Sequence, residues 1–215
     1  SLRGWEVNET NVCLAPHGLT CESLPAYMGA NPIPANTTIT NTRFTGYVNL
    51  NNGNITIERS CFQPVAASPG IPVVSTTNFD IWGPPAGPVA IRDSEFDGSL
   101  ILAGPDGQRL AAFTNGFWGI ADLERNYFHT MGGGPALYNT GTQFDSLVEH
   151  NYVTNMLGWG DPATTGNHSD SFTIRDFTDS VRSSRQAIIR NNNFDCDGPN
   201  CTGAFFIQPN GASID

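Results

Sequence analysis

One eight-residue pattern occurs six times along the chain, and it constrains the fold more than any other feature of the sequence. The third place of the pattern is always aliphatic, the sixth is a small polar residue and the eighth is Phe or Val. Alternation over the first three places predicts a strand, the small residue predicts a bend, and the eighth residue predicts a return to the interior. The copies are TTITNTRF from Thr37, ITIERSCF from Ile55, VAIRDSEF from Val89, ADLERNYF from Ala121, SLVEHNYV from Ser146 and AIIRNNNF from Ala187.

The uneven spacing of the copies narrows the choice of repeat architecture. Their starting positions, 37, 55, 89, 121, 146 and 187, lie 18 to 41 residues apart, and a repeat of this length with variable insertions is typical of a solenoid. Helical periodicity is absent, and so is the Leu and Asn frame of leucine-rich repeats. We expect a second strand in four apolar runs that follow a copy: YVNL at Tyr47, SLILAG at Ser99, PALYNTG at Pro135 and AFFIQPNG at Ala204.

Stacking of the copies predicts an all-β fold, a solenoid of parallel strands. Equivalent residues would lie ~4.8 Å apart on neighbouring rungs. The aliphatic third places would then form one interior column and the aromatic eighth places another. Asn126, Asn151 and Asn192 would form a ladder at the bend, where amide side chains satisfy backbone groups.

The chain resembles the right-handed parallel β-helix proteins of the pectate-lyase-like class. More closely, GWEVNETNVCLAPHGL, GNITIERSC, YNTGT, GDPATTGNHSDSFTIRDF and GAFFIQPN are similar to segments of a family of secreted actinobacterial and actinophage-encoded β-helix proteins. The resemblance implies an extracellular or virion-surface protein that faces a glycan, and it implies no catalytic assignment. It also implies that residues 1–36 are an N-terminal cap segment and that residues 37–215 form the rungs. Residues 211–215 look like the start of a further strand, so we expect the last rung to be incomplete.

Composition excludes two classes of partner. The net charge is −10, from 20 Asp and Glu against 10 Arg without any Lys, and it repels phosphate backbones and anionic lipid surfaces. No apolar run reaches the ~18 residues of a transmembrane helix. We therefore expect no nucleic-acid partner and no membrane insertion, and a neutral polysaccharide fits this charge better than a polyanionic one.

Five cysteines indicate an oxidising compartment. The turn DGPN between Cys196 and Cys201 predicts a local disulfide. Cys21 has two candidate partners, Cys13 and Cys61. Because Cys61 lies in a strand copy, a buried free thiol is the alternative for it.

The stretch TGNHSDSFTIRD, residues 165–176, holds two candidate catalytic residues. Phe172 and Ile174 continue the inward alternation, so His168 and Asp170 come just before a strand and just after a long loop. In a hydrolase, Asp170 would protonate a glycosidic oxygen or activate water, and His168 would orient it. The alternative is structural: Asp170 accepts backbone amides of the turn, and His168 hydrogen-bonds a neighbouring rung.

Glu149 is the third candidate catalytic residue. It occupies the fourth place of the repeat, which points outward, and Glu124 occupies the same place one copy earlier. Two carboxylates on adjacent rungs would have the ~5 Å separation of a retaining glycosidase. The alternative is a surface ladder of ion pairs with the Arg residues of the fourth place, each pair worth about 0–1 kcal/mol.

Aromatic residues in Gly-rich loops are the candidate substrate-binding residues. Trp118 in NGFWG, Tyr138 in ALYNTG and Trp159 in LGWGDP, with Trp82 in FDIWGPP, offer rings that stack on sugars. The alternative is that these rings anchor loops on the solenoid. Arg175 completes the predicted substrate-binding set.

No metal or other cofactor is predicted. Two metal hypotheses are open: calcium at Asp195 and Asp197, and a metal held by His129 and His150 with Asp161 or Asp170. Neither has the spacing of a known metal motif.

The sequence thus predicts an extracellular β-helix protein that binds a polysaccharide, with glycoside hydrolysis favoured over lysis as its candidate activity. The alternative is a non-catalytic attachment module, such as a phage tail-fibre or tailspike segment that recognises a bacterial glycan. Proteins of this kind are often homotrimers, so a homotrimer is the assembly expected for this alternative.

Overall fold

A computed structural model describes residues 2–68, 70–81, 83–138, 144–175 and 186–208. Within these residues the chain forms three parallel sheets of six strands each, and each turn of the coil contributes one strand to every sheet. The all-β prediction of a parallel β-helix is therefore confirmed. Trp82 and the predicted extra strand at 211–215 lie outside the described residues.

Sheet 1 contains the beginning of every copy of the repeat. The aliphatic third places pair directly across its strands, from Ile39 through Ile57, Ile91, Leu123 and Val148 to Ile189. The four central members are fully buried, so the predicted aliphatic column is confirmed. The strands are β1 Thr37–Thr40, β4 Ile55–Glu58, β7 Val89–Arg92, β10 Asp122–Glu124, β13 Ser146–Glu149 and β17 Ala187–Arg190.

Sheet 2 contains the end of every copy and carries the predicted aromatic column. Phe44, Phe62, Phe96 and Phe128 stack with ring centroids 4.9, 4.5 and 4.1 Å apart. Burial of each ring contributes about 1.5–3 kcal/mol. The strands are β2 Arg43–Phe44, β5 Cys61–Phe62, β8 Glu95–Asp97, β11 Tyr127–Met131, β14 Tyr152–Met156 and β18 Asn193–Phe194.

The bend between sheets 1 and 2 uses the fifth and sixth places together. The fifth residue is left-handed in all six copies, with φ between 47° and 55°, although none is Gly. This conformation is costly for most side chains. The sixth residue compensates through a ladder in which the backbone N–H of one rung donates to the side-chain oxygen of the next, from Thr42 through Ser60, Ser94, Asn126 and Asn151 to Asn192. The predicted Asn ladder is confirmed, but the sharp turn lies one residue earlier than the pattern indicated.

Sheet 3 follows the long variable segments, and a short strand pair lies beside it. The prediction of a strand at SLILAG is wrong, because Ser99–Leu102 is a helix, α1, whose Ser99 N–H donates to Asp97 Oδ1 at 2.7 Å. A second helix, α2 (Gly107–Ala112), leads into the sheet 3 strand of that turn. The sheet 3 strands are β3 Val48–Asn49, β6 Val74–Ser75, β9 Asn115–Gly119, β12 Gly133–Tyr138, β16 Thr173–Arg175 and β20 Phe206–Gln208, and the separate pair is β15 Ser169–Asp170 with β19 Cys201–Gly203.

Residues 2–24, which we call the N-terminal strap, run along the outside of the coil from its last rungs to its first. The strap contains three 3-10 helices, Gly4–Glu6, Ala15–His17 and Cys21–Ser23. Residues 25–36 then cover the first rung, where the Tyr27 ring lies 4.8 Å from Phe44 and Ile33 is fully buried. Contacts that fix the strap join Leu2 to His150, Val7 to Asn193, Cys13 to Arg125 and Cys21 to Cys61.

The path of the N-terminal strap determines which cysteines pair. Cys21 forms a disulfide with Cys61, and Cys13 is the free, buried thiol. The alternative of Cys61 as a free thiol is wrong, because the strap brings Cys21 across the outer face of sheet 2. The predicted Cys196–Cys201 disulfide is confirmed.

Candidate functional site

The outer face of sheet 3 brings together three of the four predicted substrate-binding residues. Strand alternation directs Phe117, Leu137 and Ile174 into the core, so the residues between them point outward. On this face Trp118 pairs with Ala136, and Tyr138 pairs with Arg175. We call this surface the sheet 3 face; its outward positions are Asn49, Ser75, Trp118, Ala136, Tyr138, Thr173, Arg175, Phe206 and Gln208.

The aromatic rings of the sheet 3 face contact one another. The Trp118 and Tyr138 ring centroids lie 5.6 Å apart at an interplanar angle of 52°, and Phe79 approaches Trp118 edge-on at 6.4 Å. The Arg175 guanidinium carbon lies 5.5 Å from the centre of the Tyr138 ring, within cation–π range. Tyr138 is only 7% exposed, whereas Trp118 and Arg175 are half-buried. Trp118 and Arg175 are therefore the members that a ligand reaches most directly.

Gly133, the first residue of strand β12, lies next to the Asp170 backbone, and its lack of a side chain makes this approach possible. A Cβ at Gly133 would lie 2.2 Å from the Asn115 side-chain nitrogen and 3.5 Å from the Asp170 carbonyl oxygen. Gly133 pairs with Asn115 across the sheet. The missing side chain thus makes room for the Asn115 amide beside the Asp170 backbone. Asn115 was not predicted, and the motif TNGFWG gave no sign of this contact.

Asn167 organises the TGNHSDSF stretch, although the predicted catalytic residues are the nearby His168 and Asp170. Its side-chain amide donates to the carbonyls of Ala112 and Leu157, at 2.6 and 2.8 Å. Its Oδ1 accepts the Trp159 backbone N–H at 2.7 Å. Asn167 is buried, so these bonds fix the loop that precedes β15. The only sequence signal for this role is the Gly166-Asn167 pair before β15, which is typical of a turn.

Asp170 lies in β15 and His168 just before it, at the edge where the strands of sheet 3 begin. Asp170 is half-buried in β15, and its Oδ1 accepts the hydroxyl of Thr202 from the next rung. The interaction differs from the structural alternative, in which Asp170 would accept backbone amides. His168 is exposed, and its ring makes no hydrogen bond to the described residues. The imidazole is thus accessible to a ligand at this edge.

Trp159 anchors its loop instead of joining the other rings. Its ring lies 5.8 Å from Phe113 in an edge-on contact, and its carbonyl accepts N–H groups of Asn167 and Asn200. Phe113 follows helix α2. Trp159 therefore ties the loop before β15 to the segment before β9.

Glu149 belongs to an ion-pair ladder on sheet 1. Arg190 binds both of its carboxylate oxygens, at 2.8 and 3.2 Å. Burial raises the pKa of Glu149, but the Arg190 hydrogen bonds and charge outweigh it, so the pKa lies below its usual value. Glu149 pairs with Glu124 as predicted, and Arg92 binds Glu124 at 2.7 Å. This arrangement favours the ion-pair interpretation, because a general acid needs a raised pKa.

The two sequence-based metal hypotheses gain no geometric support. Asp197 accepts hydrogen bonds from Thr154 Oγ1 and from two backbone N–H groups of β14, and these donors hold its pKa below the usual value against the effect of burial. His129 binds Glu95, whereas His150 binds the Leu2 carbonyl. The two histidines thus have different hydrogen-bond partners and do not converge on one site.

Comparisons with protein-family models, with curated proteins and with solved structures found no match for the chain. The β-helix fold therefore rests on the strand pairing itself, and the narrower family resemblance stays a prediction. In the part of the chain that the structure describes, no helix has the length and apolar character needed to cross a membrane.

Proposed function

We propose that this chain binds a polysaccharide along the sheet 3 face. The observation that carries the proposal is the contact of Trp118, Tyr138 and Arg175 on three adjacent rungs. Aromatic rings stack on the apolar faces of sugars, and polar groups beside them fix the orientation. Rungs repeat every ~4.8 Å along the coil, so the half-buried Trp118 and Arg175 offer contacts two rungs apart to an extended chain of sugars.

The charge distribution supports a neutral or weakly charged glycan. The molecule carries a net charge of −10, which disfavours a strongly anionic ligand. The outward positions that define the sheet 3 face include one guanidinium, that of Arg175, and no carboxylate. Asn49 and Gln208, which are half-buried, supply uncharged hydrogen-bonding groups to the same surface.

An extracellular or virion-surface location fits this function. The Cys21–Cys61 and Cys196–Cys201 disulfides are the kind that persist in oxidising compartments and are rare in the cytosol. Surface glycans are encountered in the same compartments.

Binding is favoured over hydrolysis by the positions of the predicted carboxylates. Asp170 lies at the edge where the strands of sheet 3 begin, whereas Glu149 lies on sheet 1 in a bidentate pair with Arg190. A glycosidase needs two carboxylates about 5–10 Å apart on either side of one bond. Attachment to a bacterial glycan, as in a phage tail-fibre segment, is therefore the preferred form of the proposal, and a homotrimer would be its assembly.

The test measures binding of wall polysaccharides from actinobacteria by the wild-type chain and by two matched tryptophan variants. We expect Trp118→Ala to weaken binding about tenfold, which corresponds to ~1.4 kcal/mol. Trp5→Ala removes a ring that is 73% exposed on the strap and should leave affinity unchanged. Equal loss in both variants, or binding that is insensitive to Trp118→Ala, would contradict the proposal.

A second assay separates attachment from hydrolysis. Incubation with the bound polysaccharide should release no new reducing ends. If reducing ends appear and Asp170→Asn abolishes them, the protein is a hydrolase that uses Asp170. Sedimentation of the purified chain then reports whether it is a trimer.

A further inference from the structure

The sheet 3 face is covered on the second turn of the coil. Ser75, the outward residue of β6, is fully buried, and Thr76 and Thr77, which follow it, are buried too. The Ser75 hydroxyl oxygen accepts the backbone N–H of Thr77 at 3.0 Å. Trp118 pairs directly with Ser75 from the third turn, yet Trp118 is half-buried. The stretch of this face that a ligand can follow toward the last turns therefore begins at Trp118.

A tight loop follows the buried residues of the second turn, and we call it the Asn78–Gly83 loop. Two backbone hydrogen bonds between Asn78 and Gly83, at 3.0 and 3.2 Å, close the loop. The Asn78 side chain also accepts the Asp80 N–H at 3.1 Å, as is typical of a turn that begins with Asn. Ile81 is 72% exposed. The loop is therefore held by its own hydrogen bonds and projects into solvent.

The Asn78–Gly83 loop contacts the sheet 3 face through Phe79. The Phe79 ring meets Trp118 edge-on, with ring centroids 6.4 Å apart, and Tyr138 approaches the same indole at 5.6 Å. Phe79 comes from the turn before Trp118, and Tyr138 comes from the turn after it. Arg175 continues the series on the fifth turn, where it contacts Tyr138. The accessible part of the face thus has Phe79 at one end and is open toward Arg175.

We propose that the sheet 3 face binds the end of a polysaccharide chain and excludes its interior. The terminal sugar stacks at Trp118 against Phe79, and the sugars that follow it extend toward Arg175. A surface that is open at both ends accepts a chain at any point along its length. A wall at one end rejects an interior sugar, because the next sugar of the chain would clash with the wall. This inference rests on the proposed function, since it names the part of the polysaccharide that the same face recognises.

Calorimetric titration with intact and with partly hydrolysed wall polysaccharide tests chain-end recognition. Mild acid cuts the chains into fragments, which multiplies the number of chain ends in a given mass of sugar. The fragments are kept longer than the ~10 Å that two rung spacings place between Trp118 and Arg175. We expect the number of binding sites per gram of sugar to rise in proportion to the number of chain ends, with the affinity of each site unchanged.

The outcomes of this titration separate chain-end recognition from polysaccharide binding as such. An equal number of sites per gram before and after hydrolysis would overturn chain-end recognition and leave polysaccharide binding intact. If neither sample binds, the proposed function itself is wrong. Borohydride reduction, which opens the sugar ring at every reducing end, then identifies the end: binding persists if the protein recognises the non-reducing sugar and disappears if it recognises the reducing one.

Two matched phenylalanine variants test the role of Phe79. Phe79→Ala removes the ring beside Trp118, whereas Phe113→Ala removes the ring that meets Trp159 edge-on at 5.8 Å. Both phenylalanines are half-buried, so thermal melting of the two variants controls for loss of folding. We expect Phe79→Ala to weaken fragment binding about two- to tenfold, the range of one aromatic contact, and Phe113→Ala to leave it unchanged. Equal loss in both variants, or no loss in Phe79→Ala, would contradict the wall.

Discussion

Asn151→Ala is the most informative perturbation of the coil. Asn151 is fully buried in the bend ladder. Its Oδ1 accepts the Asn126 backbone N–H at 3.0 Å, and its Nδ2 donates to the Leu123 carbonyl at 2.7 Å. The substitution leaves this N–H and this carbonyl without their partners in the interior. At about 1–3 kcal/mol for each unsatisfied group, the expected loss is about 2–6 kcal/mol, a large part of the 5–15 kcal/mol that stabilises a typical domain.

Urea unfolding followed by circular dichroism measures this loss as a change in the free energy of unfolding. Two further variants test whether the loss of stability depends on how many hydrogen bonds are removed. Asn151→Ser reproduces the residue that copies two and three use at this place, Ser60 and Ser94. It keeps an acceptor for the N–H but loses the donor to Leu123, so its loss should be intermediate. Thr42→Ala removes only a hydroxyl bonded to the Thr40 carbonyl on the first rung and should cost about 1 kcal/mol or less. If all three variants lose the same stability, the ladder does not contribute as proposed.

Three further perturbations test other parts of the molecule. Phe96→Ala should cost about 3–5 kcal/mol in urea unfolding, because the ring is fully buried between two others; a loss below that of Thr42→Ala would contradict the stacked column. Because the pKa of Glu149 is lowered in the folded state, its pair with Arg190 stabilises the chain above the unfolded pKa, and this contribution disappears as the pH falls through the folded pKa. Arg190→Ala should therefore flatten the dependence of unfolding free energy on pH between about pH 6 and pH 3, and an unchanged pH profile would argue against the pair. Cys13, with a pKa raised to about 12, should resist iodoacetamide in the native protein and react fully in urea, as mass spectrometry can show; rapid native labelling would refute its burial.

The regular part of the fold was predictable because the repeat encodes it. Residues at the third and eighth places contact the equivalent residues on the next rung. Columns such as that of Ile57 therefore follow from aligning the copies of the repeat. Sheet 3 was only partly predictable, because the segments before its strands vary in length. An apolar run such as SLILAG fits a buried strand or a short helix equally well, and the Asp97 carboxylate that supports helix α1 lies outside the run.

The candidate site was also only partly predictable from the sequence. The contact of Trp118 with Tyr138 joins loop motifs on adjacent rungs, and only the strand register shows that they meet. Asn167 and Gly133 act through contacts with backbone from other turns, which no local pattern reveals.

Hydrogen exchange with and without the polysaccharide tests the central proposal most directly. Ligand contact on the sheet 3 face should slow amide exchange in β9, β12 and β16, and leave β4, β7 and β10 of sheet 1 unchanged. Protection confined to sheet 1, or the absence of any protection in β9 and β12 when the glycan is bound, would contradict the account.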